Sequence, residues 1–175
     1  IKAASTPHRF GEVRNEDKPA LIMPVISSER REYLPVDIVD KNVIAGYANF
    51  MVYDFENYLI PILSSKLHMS WVKAVSGKLK NDIRYSNKIC YNNFPIPNFT
   101  QEQLTRLNEL SIKLLKEREM IGGTLGEIYD PDKMPRSVRD IHQEIDSYLE
   151  EIYAKEVKRK KKINSDTERL EVLFK

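Results

Sequence analysis

The stretch NFPIPNFTQEQL, residues 93–104, divides the chain into two unlike halves. Pro95 and Pro97 exclude a helix across it, because proline lacks the amide hydrogen a helix interior needs. Thr100 and Gln103 then form the capping box that opens one. Leu104, Leu107, Leu110, Leu114 and Leu115 fall on one helical face beyond it, until Gly122–Gly123 stop the pattern. A second helix is expected from about Ser137 to Lys155, with Val138, Ile141, Ile145, Leu149 and Ile152 on one side. SDTERLEVLF (165–174) opens a third.

The first half reads differently. PALIMPVIS (19–27) and IAGYANFMVYDF (44–55) are rich in β-branched and aromatic residues and bounded by Pro, Gly or Asn, so both are expected as strands. The charged connection between them leaves room for a short edge strand around Glu32–Leu34. Leu59, Leu63, Leu67, Trp71 and Val75 repeat every four residues and predict one helix over Asn57–Ser76. Pro61 sits in its first turn and Gly77 is its natural stop. The expected fold class is α+β: a β-sheet with a packed helix over residues 1–98, then a small α-helical domain over 99–175.

Composition narrows the function. At 175 residues, 41% hydrophobic and 31% charged, the chain can bury a real core. Its net charge is only +2, so attraction to nucleic acid has to come from local clustering. Cys90 is the sole cysteine, which excludes an internal disulfide and a zinc site of two thiolates, and suggests a reducing, intracellular setting. No apolar run approaches the roughly 20 residues of a membrane span, and no signal-peptide pattern opens the chain. The start at Ile1 and the polar lead-in IKAASTPHRFGEVRNEDKP suggest a piece of a longer protein.

Catalytic signals are weak. His8, His68 and His142 lie far apart, without carboxylates at metal-ligand spacing, and read as surface or core histidines. GGTLG (122–126) matches no phosphate-loop spacing and follows a helix, so it reads as a terminator. Pro131–Asp132 followed by Glu156-Val157-Lys158 imitates the order of a metal-dependent nuclease motif. Those carboxylates would border an amphipathic helix instead of converging on one metal. Glu150 and Glu151 are expected on a solvated outer face. The run KRKKK (158–162) could touch phosphates or form a solvated helix end. No catalytic residue and no metal ligand is assigned.

Two charged stretches carry more. SSERREY (27–33) sends two hydroxyls, two adjacent guanidinium groups and a phenol from the end of a strand. Arginine suits bidentate phosphate or guanine contacts, and a salt-bridged surface loop with Glu29 and Glu32 is the alternative. GKLKNDIRYS (77–86) places Lys78, Lys80, Asp82 and Arg84 at every second position, which on an extended strand puts all four on one face. Between Lys73 and Lys88 five cations (Lys73, Lys78, Lys80, Arg84, Lys88) face one anion, Asp82, a net of +4. Asp82 either forms internal ion pairs or supplies the acceptor that base reading requires, since a carboxylate accepts from the cytosine amino group.

HRF near the start, IMPVISSERREYLPV, LSSKLHMSWVKAVSGKLKNDIRYSNKICYNNFPIP and LGEIYDPDKMPRSVRDIHQEID together resemble the C-terminal region of large DNA adenine methyltransferases of the MmeI type. The resemblance covers nearly the whole chain. It implies the later part of a DNA target-recognition domain over 1–98 and a C-terminal helical domain over 99–175. It also implies a prokaryotic, cytoplasmic restriction–modification or phage-defence enzyme, with double-stranded DNA as partner and no membrane. In that family the segment after W-x-x-x-x-x-G, here following Gly77, carries base-reading side chains. The resemblance therefore implies that Lys80 and Asp82 read one base pair and that Arg84 contributes to another. Further base contacts are implied near Ala48 and Asn49. Ser28, Arg30 and Arg31 are implied in phosphate contact or structural support, beside the basic residues Lys73, Lys78 and Lys88.

The Asn/Asp-Pro-Pro-Tyr/Phe motif of amino-methyltransferases is missing from the sequence, and so is a glycine-rich loop for S-adenosylmethionine. Methylation, cofactor binding and any fused nuclease are then expected in the parent's other domains, with an N-terminal methyltransferase domain as intramolecular partner. Two other readings remain. NNFPIPNFTQEQLTRL also resembles the junction in specificity subunits of multi-chain restriction systems, although the helices here are short and broken at Gly122 and Pro131–Pro135. A non-enzymatic helical interaction module is the other.

Overall fold

The computed structural model describes residues 15–175; the HRF motif and His8 lie outside the described residues. One nearly continuous strand organises the first half: β1 (Ala20–Pro24) and β2 (Ile26–Ser27), separated only by Val25. β1 pairs antiparallel with β3 (Asp37–Val39) and with β4 (Asn49–Val52), giving the order β3-β1-β4. β2 pairs with β6 (Asp82–Arg84), which pairs with β5 (Gly77–Leu79), giving β2-β6-β5. Two small sheets thus stand where one was expected. Around Glu32–Leu34 the chain forms no edge strand. Tyr33 and Leu34 are buried side-chain anchors there, and the edge strand comes later, as β3. The strand expected over 44–55 shortens to β4, because Gly46–Ala48 turn the chain into it.

The helix expected over Asn57–Ser76 is two helices, α1 (Leu59–Leu63) and α2 (Lys66–Val75). The serines between them cause the break. Ser64 Oγ donates to the Ile60 carbonyl (2.6 Å) and Ser65 Oγ to that of Ile62 (2.7 Å), competing with helix continuation. Ser65 then caps α2 by accepting from the His68 amide (3.1 Å). Gly77 does not stop α2 by a left-handed turn. Ser76, in extended conformation, caps it, and Gly77 already begins β5.

The second half follows the sequence closely. α3 (Gln101–Ile121) opens on the Thr100–Gln103 capping box and ends at Gly122 and Gly123, with φ 71° and 83°. GGTLG does more than terminate, since Thr124 and Glu127 form a second capping box for the short α4 (Leu125–Ile128). α5 (Arg136–Glu156) and α6 (Asp166–Leu173) complete the chain. Glu150, expected in solvent, is instead largely covered and pairs with Arg169 of α6, whose Nη2 lies 2.7 Å from it.

The halves share one core. A continuous hydrophobic cluster runs from Leu21, Met23 and Leu34 through Ile60, Leu67 and Val72 to Leu107, Leu114, Ile145, Leu149 and Leu173. Buried polar groups fasten the seam. The Tyr33 hydroxyl donates to Asp146 of α5 (2.9 Å), whose other oxygen accepts from the Lys66 amide (2.7 Å). Tyr33 also stacks on His142 at 4.1 Å. Arg118, 4% exposed, donates to the Val36 carbonyl (2.7 Å) and lies 3.1 Å from Asp37.

These buried groups titrate in opposite senses. Burial holds His68 and His142 neutral, with pKa values pushed from 6.5 down to about 3. Their contribution to stability is present above pH 6.5 and lost as pH falls toward 3. Burial raises Asp146 from 3.8 to about 6, despite the hydrogen bonds that favour its anion. Its contribution is therefore full below about pH 4 and is lost as pH climbs through 6. In urea denaturation at a series of pH values, Asp146→Asn is expected to gain on the wild type by roughly 1–3 kcal/mol between pH 4 and 7. Parallel stability profiles for the two proteins would refute the assignment.

Candidate nucleic-acid interface

The strand Ala20–Ser27 brings distant segments together. Pro24 is opposite Asn49, and Ile26 is opposite Arg84. Between them the Val25 amide donates to the Ala48 carbonyl (2.8 Å), and the Val25 carbonyl accepts from the Tyr85 amide (2.8 Å). Opposed Cα atoms in antiparallel pairs lie about 4.5–5.5 Å apart. The two stretches singled out from sequence, Ala48–Asn49 and Asp82–Arg84, are thus joined through three consecutive residues. Both Ala48 and Asn49 are exposed, and Tyr47 beside them is fully so.

GKLKNDIRYS is a hairpin, not one extended run. β5 and β6 pair Gly77 with Arg84, Lys78 with Ile83 and Leu79 with Asp82, around the two-residue turn Lys80–Asn81. Directly opposed residues share a face. Ile83 is buried, so Asp82 and Arg84, together with Leu79 and Gly77, belong to the outward face. The expectation that Lys78, Lys80, Asp82 and Arg84 share one face is corrected, because the turn interrupts the period-two alternation. Lys78 lies on the Ile83 side with its Nζ 3.8 Å from Glu29. Lys80 sits at the tip, with φ at 56°. Such a conformation costs a side-chain-bearing residue roughly 1–2 kcal/mol.

The internal ion pairs offered for Asp82 are not found. Among the described residues Asp82 has no cation within 4.0 Å, and Lys73, Lys80, Arg84 and Lys88 have no carboxylate partner either. The hairpin therefore presents a carboxylate, Asp82, and two cations, Lys80 and Arg84, without ion-pair partners among the described residues, with Lys73 and Lys88 on the flanking elements. Beneath it the support is rigid. Tyr85 is buried and its hydroxyl hydrogen-bonds His68 Nε2 of α2 (3.0 Å), and Trp71 Nε1 donates to the Cys90 carbonyl (3.1 Å). That second bond holds the π-helical turn Asn87–Tyr91, which carries the exposed Lys88.

SSERREY behaves differently. Arg30 Nη2 donates to both carboxylate oxygens of Asp132 (2.7 and 2.8 Å), and Arg31 Nε donates to the Tyr129 carbonyl (3.2 Å). Ser28 Oγ accepts from the Arg30 amide (3.3 Å). Glu32 pairs with Lys66 (3.7 Å) and with Arg139. The loop thus reaches both ways, its arginines toward the helical half and Glu29 and Glu32 back to Lys78 and Lys66. These contacts could not be read from the sequence, because Asp132, Tyr129 and Arg139 lie some hundred residues away.

The other candidates do not converge. Asp132 and Glu156 flank opposite ends of the 21-residue α5, about 30 Å apart at 1.5 Å per residue. Among the described residues no cluster of His, Cys, Asp or Glu could hold a metal ion. In KRKKK, Arg159 is bound to Glu168 (2.7 Å) and Glu171 (3.0 Å). GGTLG does not fit S-adenosylmethionine either. It follows a helix, and its Thr124 hydroxyl and amide are taken up by Glu127. No helix among the described residues is long and apolar enough to cross a membrane. Sequence reasoning missed Val25, the His68–Tyr85 pair and Leu79. Only the turn residues Lys80–Asn81, polar and ending in a turn-forming asparagine, hinted at the hairpin.

Comparison with known proteins matches both halves of the chain. A family described as "MmeI, target recognition domain" matches residues 1–98, and "MmeI, C-terminal domain" matches 99–175. DNA methyltransferase A of Bacillus subtilis (strain 168) is 40% identical over 174 residues, which is 99% of this chain and 19% of that protein. A solved structure of the Type IIL restriction-modification enzyme MmeI in complex with DNA superposes with a TM-score of 0.88 at 32% identity. It covers 99% of this chain and 23% of the other. The chain thus spans about a fifth of the length of these relatives. With both halves matched in order and the whole fold superposed, the chain belongs to the MmeI family, of which it comprises the target-recognition and C-terminal domains.

Proposed function

We propose that this chain reads double-stranded DNA for a SAM-dependent adenine-N6 methyltransferase of a prokaryotic restriction–modification or phage-defence system. The observation that carries this is the hairpin tip, where an unpaired carboxylate, Asp82, stands among unpaired cations on a braced strand. A surface built only to hold phosphates gains nothing from that carboxylate. Lys80 and Asp82 suit a G·C pair, with lysine donating to guanine and aspartate accepting from the cytosine amino group. Arg84 contributes to a neighbouring pair, and Ala48 and Asn49, joined to it through Val25, extend the reading surface.

Lys73, Lys78 and Lys88 surround the hairpin and position the duplex through its phosphates. Ser28, Arg30 and Arg31 serve as structural support, since both guanidinium groups are engaged by the helical half. Cofactor binding and methyl transfer belong to the parent's N-terminal methyltransferase domain, against which this chain presents the DNA in the cytoplasm.

In the intact protein, exchanging the charges by Lys80→Glu with Asp82→Arg is expected to change the methylated motif at one base pair and keep the rest. An unchanged motif, or uniform loss of activity, would sink the reading. Lys80→Gly separates side chain from scaffold. Glycine accepts the positive φ, so stability in urea denaturation should hold or rise by up to about 1 kcal/mol. Discrimination at that one pair should fall by about 5- to 100-fold, as expected for a contact of roughly 1–3 kcal/mol. Affinity should also drop steeply with salt while a preferred site is retained, a combination that a protein-interaction module would not show.

A further inference from the structure

Leu79 is 52% exposed at the hairpin tip. A single exposed leucine means little by itself. Its register gives this one meaning. Leu79 lies directly opposite Asp82 and on the same outward face as Asp82 and Arg84. Opposed Cβ atoms on one face are about 4.5–5.5 Å apart, comparable with the roughly 3.4 Å rise per base pair. Any duplex close enough for the Asp82 carboxylate to accept from a base edge also meets the Leu79 side chain. The next residue of β5 on that face is Gly77, opposite Arg84, where an added Cβ would meet nothing within 4 Å. The outward face of β5 is therefore bare except for Leu79.

Among major-groove base edges the C5 methyl group of thymine is the one bulky apolar group. We infer that Leu79 is a specificity-determining residue that packs on the C5 methyl of a thymine at or next to the base pair read by Lys80 and Asp82. The inference rests on the proposed reading by this hairpin and adds to it an apolar subsite. The two charged readers distinguish hydrogen-bond patterns, whereas Leu79 registers only the presence of a methyl group.

The test measures binding of the intact protein to duplexes of its methylated motif and flanking pairs. At each pyrimidine the C5 methyl is removed from thymine (deoxyuridine) or added to cytosine (5-methylcytosine). The unaltered protein should bind about fourfold more tightly with the methyl present at one position, the change that corresponds to burying one methyl, roughly 0.8 kcal/mol. In Leu79→Ala that difference should vanish. No methyl-sensitive position, or one that persists in Leu79→Ala, overturns the inference. A flat scan of the unaltered protein is decisive whether or not the variant folds. The Lys80/Asp82 charge exchange separates the two levels of failure. A moved motif with a flat methyl scan removes only the Leu79 subsite, whereas an unmoved motif removes the hairpin reading and the subsite with it.

Discussion

Val25 gives its one amide hydrogen to Ala48 and its carbonyl to the Tyr85 amide, and the exposed surface of the first half is arranged around that residue. Without it β4 and β6 would belong to unrelated sheets. With it, the loop that leads into β4 and the hairpin that ends in β6 share one strand as backbone. Each main-chain hydrogen bond adds only about 1 kcal/mol net, but leaving either group unsatisfied costs more than the bond supplies. The junction therefore acts as a geometric constraint more than a source of stability. It fixes where Asn49 and Arg84 stand relative to each other to within one residue of strand register.

The helical half explains why that register holds. Ile83 of β6 is buried in the shared core, and Tyr85 just beyond it hydrogen-bonds His68 of α2. α2 is held in turn by α6, where Ser70 donates to Asp166 (2.8 Å) and Trp71 packs against Phe174 at 5.3 Å. α5 enters by Asp146, which accepts from the first amide of α2 and from Tyr33. A surface of short strands gains support by docking on long helices, because strands of two to five residues make few ladder bonds of their own. Arg30 and Arg31, near the surface, likewise reach across the seam, Arg30 Nη2 to Asp132 and Arg31 Nε to the Tyr129 carbonyl.

The sequence made the helical half legible because its signals are local. The Thr100–Gln103 box, the leucine stripe and Gly122–Gly123 each act within a few residues, and α3 follows them. Ser64–Ser65 was also a local signal, but the apolar repeat passes through the break unchanged and hides it. The site was legible by residue type and not by arrangement. Lys80, Asp82 and Arg84 stood out by charge, whereas the turn between them depends on Lys80 adopting a left-handed conformation that lysine does not advertise. The roles of Tyr33, Asp146 and Arg31 could not be read at all, since each is defined by a partner from the other half of the chain.

The hairpin also keeps exposed and core positions apart. Along β6 the alternation assigns Ile83 and Tyr85 to the core and Asp82 and Arg84 to the outside. Exchanging an outward residue changes what the surface presents and leaves the buried contacts as they were. Exchanging Ile83 or Tyr85 would open a cavity, or strand His68 without its partner, at a cost of several kcal/mol. A reading helix must place its specificity residues on one face of the element whose other face is packed, with neighbours at three and four positions sharing the load. A two-residue turn at the end of two short strands has no such coupling. Its tip can carry lysine, leucine and aspartate side by side because none of them is asked to hold the fold.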